Sequence, residues 1–514
     1  MRKNDKSILP ANILTGYLFL MFFIYPFYIE NGYYNIGVAK NHFFVVVSIS
    51  GFLAAVIAAG IYLLDLKKRN RVFWDKNSVS VTQKFMLVYM AVLLLSFVFS
   101  PVKEETLWGT AGWYLGTIPL FILGGFVLMI SYFWKEQKWL ISGSIVVSGI
   151  VFFLGICNRF SFYPIYIDPP YPTFLSTLGN INWFCGYMSV LAPIGVTLFL
   201  IKENADYKHS RNKWLLAVYV YIAFMAGFAQ GSSSVFLWNA ALFAALFWIA
   251  VKHTATMKNW FFVLGLWGAG GQGVRLLMRL FPDKYTYDTA VLVDTNLTLL
   301  ISIVSFVVYA ILSIFIKKDK EFGKKLKWGL RTALVAAVIL GFLTWLIIAV
   351  YNTKVGIPSL ENSELFLLDG YWGNKRGASV KTAFMLWGEM SIFQKFFGVG
   401  ADGFSSLAYS VPEIQEYLAI YFGQSVLTNA HCEVITNLVN LGIIGAVAYM
   451  VMLFTFVYRA MKNGEKQPLL YVFAVCVICY LANNMISFAQ ILNIPFMFAL
   501  LGMGEYYLIK ESQR

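Results

Sequence analysis

Long apolar runs with almost no charge recur from one end of the chain to the other, separated mostly by short polar connections. A helix rises 1.5 Å per residue, so about 20 apolar residues cross a hydrocarbon layer about 30 Å thick. Runs such as Phe43 to Leu64 and Val434 to Val457 are predominantly apolar throughout. A membrane β-barrel would instead give segments of about ten residues alternating with period two. The runs predict spanning helices near residues 11–29, 43–65, 85–100, 112–133, 139–157, 183–201, 214–230, 234–251, 260–280, 295–316, 332–350, 434–458, 469–488 and 491–509. The expected fold is all-α, a polytopic transmembrane helical bundle of about 12–14 spans with one large external helical loop. The first run follows Arg2, Lys3 and Lys6 and has no small-residue cleavage site after it, so it reads as a retained helix.

The polar positions set one connection apart, about 83 residues from Tyr351 to Glu433. Long loops in compact proteins usually carry function. The chain divides into 1–350 with the first eleven spans, 351–433 as a large extracytoplasmic loop, and 434–514 with the last three spans and a tail. Leu386, Met390, Phe393 and Phe397 recur at i, i+4, i+7 and i+11, and Ile414, Tyr417, Leu418 and Tyr421 at i, i+3, i+4 and i+7 after Pro412. Both patterns predict amphipathic helices, forming a small cap on the membrane surface. Between them, Gly398-Val399-Gly400-Ala401-Asp402-Gly403-Phe404 reads either as a tight turn or as a phosphate cradle. No strand precedes it, so neither a dinucleotide fold nor a P-loop is predicted.

Composition agrees with a bilayer as the solvent. Of 514 residues, 59% are hydrophobic and 13% charged, against about 25% charged in soluble domains. The net charge of +14 raises nucleic acid as a partner. The basic residues, however, lie in short clusters between spans rather than along one groove, and a lipid bilayer accounts for them without nucleic acid. Lys67, Lys68, Arg69 and Arg71 fall on the same side as Lys317, Lys318, Lys320, Lys324, Lys325 and Lys327 when the spans alternate. The positive-inside bias makes that side cytoplasmic, with both termini inside and the long loop outside the cell membrane. Five scattered cysteines lack a framework spacing, so no disulfide scaffold is expected, and the Cys476/Cys479 pair, inside an apolar run without a second pair, reads as packed and inert rather than as a metal or redox site.

Within the predicted spans the clear ionisable groups are Arg275 and Arg279, near the outer end of the ninth. Four residues apart on one helix face, they can grip a diphosphate or snorkel to outer headgroups. The long loop concentrates Lys375, Arg376, Lys381, Glu389, Asp402, His431 and Glu433. His431 is one of four histidines and stands at the expected membrane surface. There an imidazole either takes a proton from an attacking hydroxyl or is an ordinary surface side chain.

Read together, several segments resemble the O-antigen ligase and polymerase superfamily of polytopic bacterial membrane glycosyltransferases. GVGADGF, followed by NAHCEVITNLVNLGIIGAVAYM from Asn429 to Met450, is similar to the family's glycine-rich turn, His and Glu pair, and helix with a Gly-Ile-Ile-Gly break. GNKRG ahead of that turn, and LGNINWFCGYMSVLAPI from Leu178 to Ile194, are similar in the same order, and together the matched segments cover about a quarter of the chain. Two positions depart: the family often has Ser-Arg where this chain reads Gly231-Ser-Ser-Ser234, and Asn after the His where this chain has Cys432.

The resemblance implies transfer of a glycan from a polyprenyl diphosphate carrier to an acceptor hydroxyl, without a metal or cofactor, in O-antigen, capsule or exopolysaccharide assembly. A diphosphate leaves readily, so the site mainly needs fixed positive charge and a base. By motif position Arg376 stabilises the leaving diphosphate, Arg275 or Arg279 replaces the absent arginine, and His431 is the base. Glu433 orients the imidazole or an acceptor sugar, and Asp402 binds sugar hydroxyls. The implied partners are the carrier-linked donor, a glycan or lipid acceptor, the bilayer and polysaccharide export machinery. No aspartate-rich metal motif occurs in the loop, in keeping with metal-independent chemistry. Two rival readings are a lipid-linked glycan transporter or flippase, for which Gly268 to Gly273 would break the ninth span, and a noncatalytic assembly component.

Overall fold

The computed structural model describes residues 7–70, 79–168, 173–201, 210–285, 293, 295–315, 319–361 and 363–512. Arg2, Lys3, Lys6, Arg71, Lys317 and Lys318 of the basic clusters lie outside the described residues. The fold is all-α, 76% helical. The first span begins as α1 (Ile8–Phe19), continues through a π-helical turn, Leu20–Ile24, and ends in a 3-10 turn, Tyr25–Phe27. Then come α2 (Ile36–Lys68), α3 (Val81–Val98), the short α4 (Lys103–Trp108), α5 (Thr117–Phe133), α6 (Lys138–Arg159), α7 (Ile181–Ile201), α8 (Ser210–Ala229), α9 (Ser234–Ala250), α10 (Thr254–Leu280), α11 (Leu297–Phe315) and α12 (Lys324–Val355). The 351–433 segment carries α13 (Trp372–Glu389), α14 (Ile392–Phe397), α15 (Phe404–Ser410) and α16 (Pro412–Phe422), and α17 (Glu433–Asn463), α18 (Leu469–Asn484) and α19 (Ile494–Ser512) complete the chain.

Among the described residues ten helices are long and apolar enough to cross a membrane, and α5, α9 and α18 are shorter apolar helices. Each predicted span falls on one of these thirteen helices or on α19. The chain is therefore a multi-pass helical membrane protein. α7, α18 and α19 are buried along most of their length and form its centre. Both described termini meet the α5–α6 turn: Lys135 Nζ donates to Ser7 Oγ over 2.9 Å, and Lys510 Nζ lies 3.9 Å from Glu136. They thus share one end of the bundle, and α13 to α16 lie at the other, far end.

The spans hold more buried charge than Arg275 and Arg279. Glu505 of α19 is fully buried and pairs with Arg459 of α17 over 2.6 Å, while Ser80, which caps α3, donates to its second oxygen over 2.8 Å. At the far end Lys40 is fully buried, and its Nζ donates to the carbonyls of Tyr25 and Pro26 over 2.8 Å each. Those carbonyls stand at the end of the first span, so Lys40 acts as its cap. Arg159, the last residue of α6, is also fully buried. In an apolar interior an unpaired charge is far costlier than a paired one, and these side chains staple helices together.

Two local expectations change. The glycine run 268–273 does not break the ninth span, because α10 continues through it. Gly268 and Gly271 lie against Thr298 and Ser302 of α11, and Gly270 and Gly273 lie against α8, so the small residues let three helices approach closely. The 386–397 repeat is also two helices rather than one. Ser391 starts a new helix through a capping box with Gln394, whose side chain accepts from the Ser391 N–H over 2.9 Å. Leu386 and Met390 then join Phe404, Ile414, Leu418 and Leu427 in a small separate core, while Phe393 packs on Phe99.

That second helix presses its end onto a break in α17. Gly442 has φ 67° and Gly398 φ 83°, and a Cβ on either would strike the other segment's backbone. The break frees the carbonyls of Val439 and Asn440, which accept from the N–H groups of Val399 (3.2 Å) and Gly400 (3.0 Å). The glycine-rich turn is therefore a clamp on α17, and these two N–H groups are not open to a phosphate.

Candidate active site

Arg376 is held at the far end by a left-handed turn. Gly373, Asn374 and Lys375 all have positive φ, 58°, 61° and 68°. Only glycine and, at modest cost, asparagine take this conformation readily, so Lys375 stores about 1 kcal/mol of strain. The turn folds the guanidinium back, with NH1 donating to the Gly373 carbonyl (2.5 Å) and Nε to that of Ile486 (2.8 Å) in the α18–α19 connection. NH2 makes no hydrogen bond among the described residues. Burial disfavours the charge and Glu364 supports it, but an arginine stays protonated in any such setting.

His431 meets the same connection. Its ring stands edge-on to Phe488 at 5.3 Å, and its backbone, at φ 51°, is fixed by donation of its N–H to Asn429 Oδ1 over 2.9 Å. Nδ1 is buried without a hydrogen-bond partner. Burial, reinforced by the nearby Arg376 charge and opposed by a backbone hydrogen bond at Asn429, holds the imidazole pKa down at about 4. The ring is therefore neutral at pH 7, with a ring nitrogen free to accept a proton.

A small cavity of about 40 Å³ adjoins His431 through Asn429 and Phe488, which line it together with Trp113, Asp402, Glu433 and Asn440. Glu433 does not reach the imidazole. Its Oε1 accepts from the hydroxyls of Tyr449 and Tyr480, 2.7 Å each, and its Oε2 from the Asn484 amide, 2.6 Å. It thus anchors the start of α17 to α18 instead of orienting His431. Tyr449 and Tyr480 also bond each other over 3.1 Å, so Glu433→Leu would leave one of the two hydroxyl protons and the Asn484 amide without an acceptor in the interior, at about 1–3 kcal/mol each. A clear fall in unfolding temperature in detergent is expected, and an unchanged melt would refute the anchoring role.

Asp402, at φ 61°, is also engaged. Its Oδ2 accepts from the backbone N–H of Thr110 (2.9 Å) and Leu115 (3.2 Å), which holds the loop that carries Trp113 into the cavity wall. Burial raises its pKa from 3.8 to about 6, against these two hydrogen bonds and with a smaller contribution from Glu105. The folded state then binds more protons than the unfolded state between these values, so Asp402 subtracts stability as pH rises through that window. His431 has the opposite sign, adding stability as pH rises from about 4 to 6.5. Asp402→Asn removes the first effect, so its unfolding temperature should climb more steeply than the native protein's between pH 4.5 and about 6. Parallel melting curves would sink this assignment.

Arg275 and Arg279 are not part of this cluster. Arg275 donates to Asn296 Oδ1 over 2.9 Å, and Arg279 is exposed near the end of α10, a helix that packs on α7, α8, α9 and α11. The guanidinium that reaches the Gly231–Ser234 neighbourhood belongs to Arg159, whose NH2 donates to the Gln230 carbonyl. From there a polar chain runs through Ser232, Ser234, Cys185 and Asn483 to Asn484 and Glu433. Arg159 was hidden because it lies two residues beyond a predicted span. Tyr449, Tyr480, Trp113 and Phe488 carry no sequence signal that separates them from ordinary apolar packing. No model of a known protein family matches the chain, and no curated protein matches it.

Proposed function

We propose that this chain transfers a glycan from a polyprenyl diphosphate carrier to an acceptor hydroxyl at the outer face of the cell membrane, as polymerase or ligase in surface polysaccharide assembly. The observation that carries this reading is the meeting of Arg376 and His431 at the α18–α19 connection. One offers a fixed positive charge with an unused N–H edge; the other is a neutral base with a free nitrogen. The motif resemblance supports the same pairing.

In this mechanism His431 takes the proton of the acceptor hydroxyl as its oxygen bonds to the anomeric carbon. The bond from that carbon to the diphosphate oxygen breaks, and the departing charge is met by Arg376. Asp402 and Glu433 act by holding the cavity walls. On this reading the basic end that carries the termini faces the cytoplasm and α13 to α16 lie outside.

The test is glycan length on the carrier lipid, in cells with the native gene or with His431→Ala, resolved by gel and mass spectrometry. Single repeat units accumulating in the variant would identify a polymerase. Polymer left on the carrier would identify a ligase. An unchanged profile would reject the reading, and purified protein that moves carrier lipid across vesicles without forming a glycosidic bond would replace it with transport.

A further inference from the structure

α12 stands apart from the bundle. Of its most apolar stretch 6% is buried, against 50% for α17. It is tied at both ends. At the far end Trp345 and Asn352 donate to carbonyls of the 360–366 segment, and the Trp345 ring lies tilted against that of Trp372, 6.3 Å between centroids. At the end that carries the termini, Arg331 donates to the Trp248 carbonyl over 3.1 Å and lies 4.6 Å over that ring. Between these ties runs a crevice of about 700 Å³, walled by Ala245 of α9, Val335 and Ile339 of α12, Val457 of α17 and Ile478 of α18.

The crevice is apolar along its length and basic at its lower end. Arg331, Lys252 and Lys462 line it there, and it adjoins a second cleft formed by Lys324, Lys327 and Trp328. The acids at this end are already engaged: Glu465 with Lys252, Glu321 with Lys327, and Asp319 facing His253. Lys324 and Lys462 have no acidic partner among the described residues, and the Nε of Arg331 is buried without a hydrogen-bond partner. An apolar slot whose basic end carries Arg331 and Lys462 without an acidic partner among the described residues, flanked by tryptophans at the bilayer interface, matches one chemistry, an acyl chain joined to an anionic headgroup.

We infer that this crevice is a binding site for an anionic phospholipid of the leaflet at the end carrying the termini. Its headgroup lies on Arg331, Lys324 and Lys462, and an acyl chain fills the gap between α12 and the bundle. The lipid supplies the packing that α12 lacks within the chain. This site is independent of the proposed transfer chemistry, which lies at the opposite end.

The full-length protein, purified in a mild zwitterionic detergent, would be titrated with phosphatidylglycerol or phosphatidylcholine and followed by native mass spectrometry and thermal unfolding. Phosphatidylglycerol should bind at least about tenfold more tightly than phosphatidylcholine and raise the unfolding temperature. The Arg331→Ala/Lys462→Ala variant should lose that preference. Phosphatidylglycerol with a photoreactive acyl chain, used on the unaltered protein, should label peptides around Val335 and Ala245. Equal binding of the two lipids, preference retained in the double variant, labelling confined to other helices, or a dimer crosslinked through α12 would each overturn the inference.

Discussion

Replacing His431 by alanine is expected to lower glycan transfer by about 10²–10⁴-fold, the usual contribution of a positioned general base. The fold should survive this change. The ring packs edge-on to Phe488 and its Nδ1 has no hydrogen bond, while the N–H that anchors the turn to Asn429 belongs to the backbone. Alanine at φ 51° keeps the cost of about 1 kcal/mol that a Cβ carries in this region and that the histidine already bears. His431→Asn relieves that strain, because asparagine tolerates the left-handed region, yet it offers no base. Both variants should therefore lose activity alike and differ only slightly in stability. The pH dependence supplies a second readout. With the imidazole held neutral down to about pH 4, kcat/KM for the proposed transfer by the native protein should not fall between pH 7 and 5.5, where an ordinary histidine would already be protonating. An acid limb near pH 6.5, or substantial transfer by either variant, would remove His431 from the mechanism.

The architecture was legible because the bilayer forces it. Spans must be long, apolar and helical, so run length alone located each long apolar helix among the described residues, and Pro412 with the 414–421 repeat located α16. The clamp was not legible. Gly398, Gly400 and Gly442 each signal unusual backbone, but only the fold brings the turn onto the α17 break. The polar interior failed for a related reason. Lys40 and Arg159 stand just outside predicted spans, where a charge normally meets headgroups, and Arg459 stands one residue beyond another. In the structure the helices extend past those limits and carry the charges inside, where carbonyls and Glu505 satisfy them. Glu433 misled differently. Its spacing from His431 suggests a pair, yet in the fold it joins two tyrosines and an asparagine that lie far along the chain.

Arg376→Ala is expected to cost about 10²–10³-fold in transfer, the range found when one preorganised donor to a developing negative charge is removed. Arg376→Lys should rescue little of this. The arginine uses Nε on the Ile486 carbonyl and NH1 on the Gly373 carbonyl, and still has an N–H edge to offer a diphosphate. A lysine ammonium on its flexible stem cannot hold both carbonyls in that geometry and also present a planar donor pair. Loss of activity by itself would not separate a role in charge stabilisation from one in scaffolding, but the titration of His431 does. The Arg376 charge is the second cause of the depressed imidazole pKa, after burial. Its removal in Arg376→Gln should move the acid limb of the residual activity upward towards the ordinary histidine value, whereas Arg376→Lys, which keeps the charge, should leave it nearly in place. Transfer near the native level in the lysine variant, or an acid limb that does not move in the glutamine variant, would place Arg376 outside the reacting centre and leave it as a tie between α13 and the α18–α19 connection.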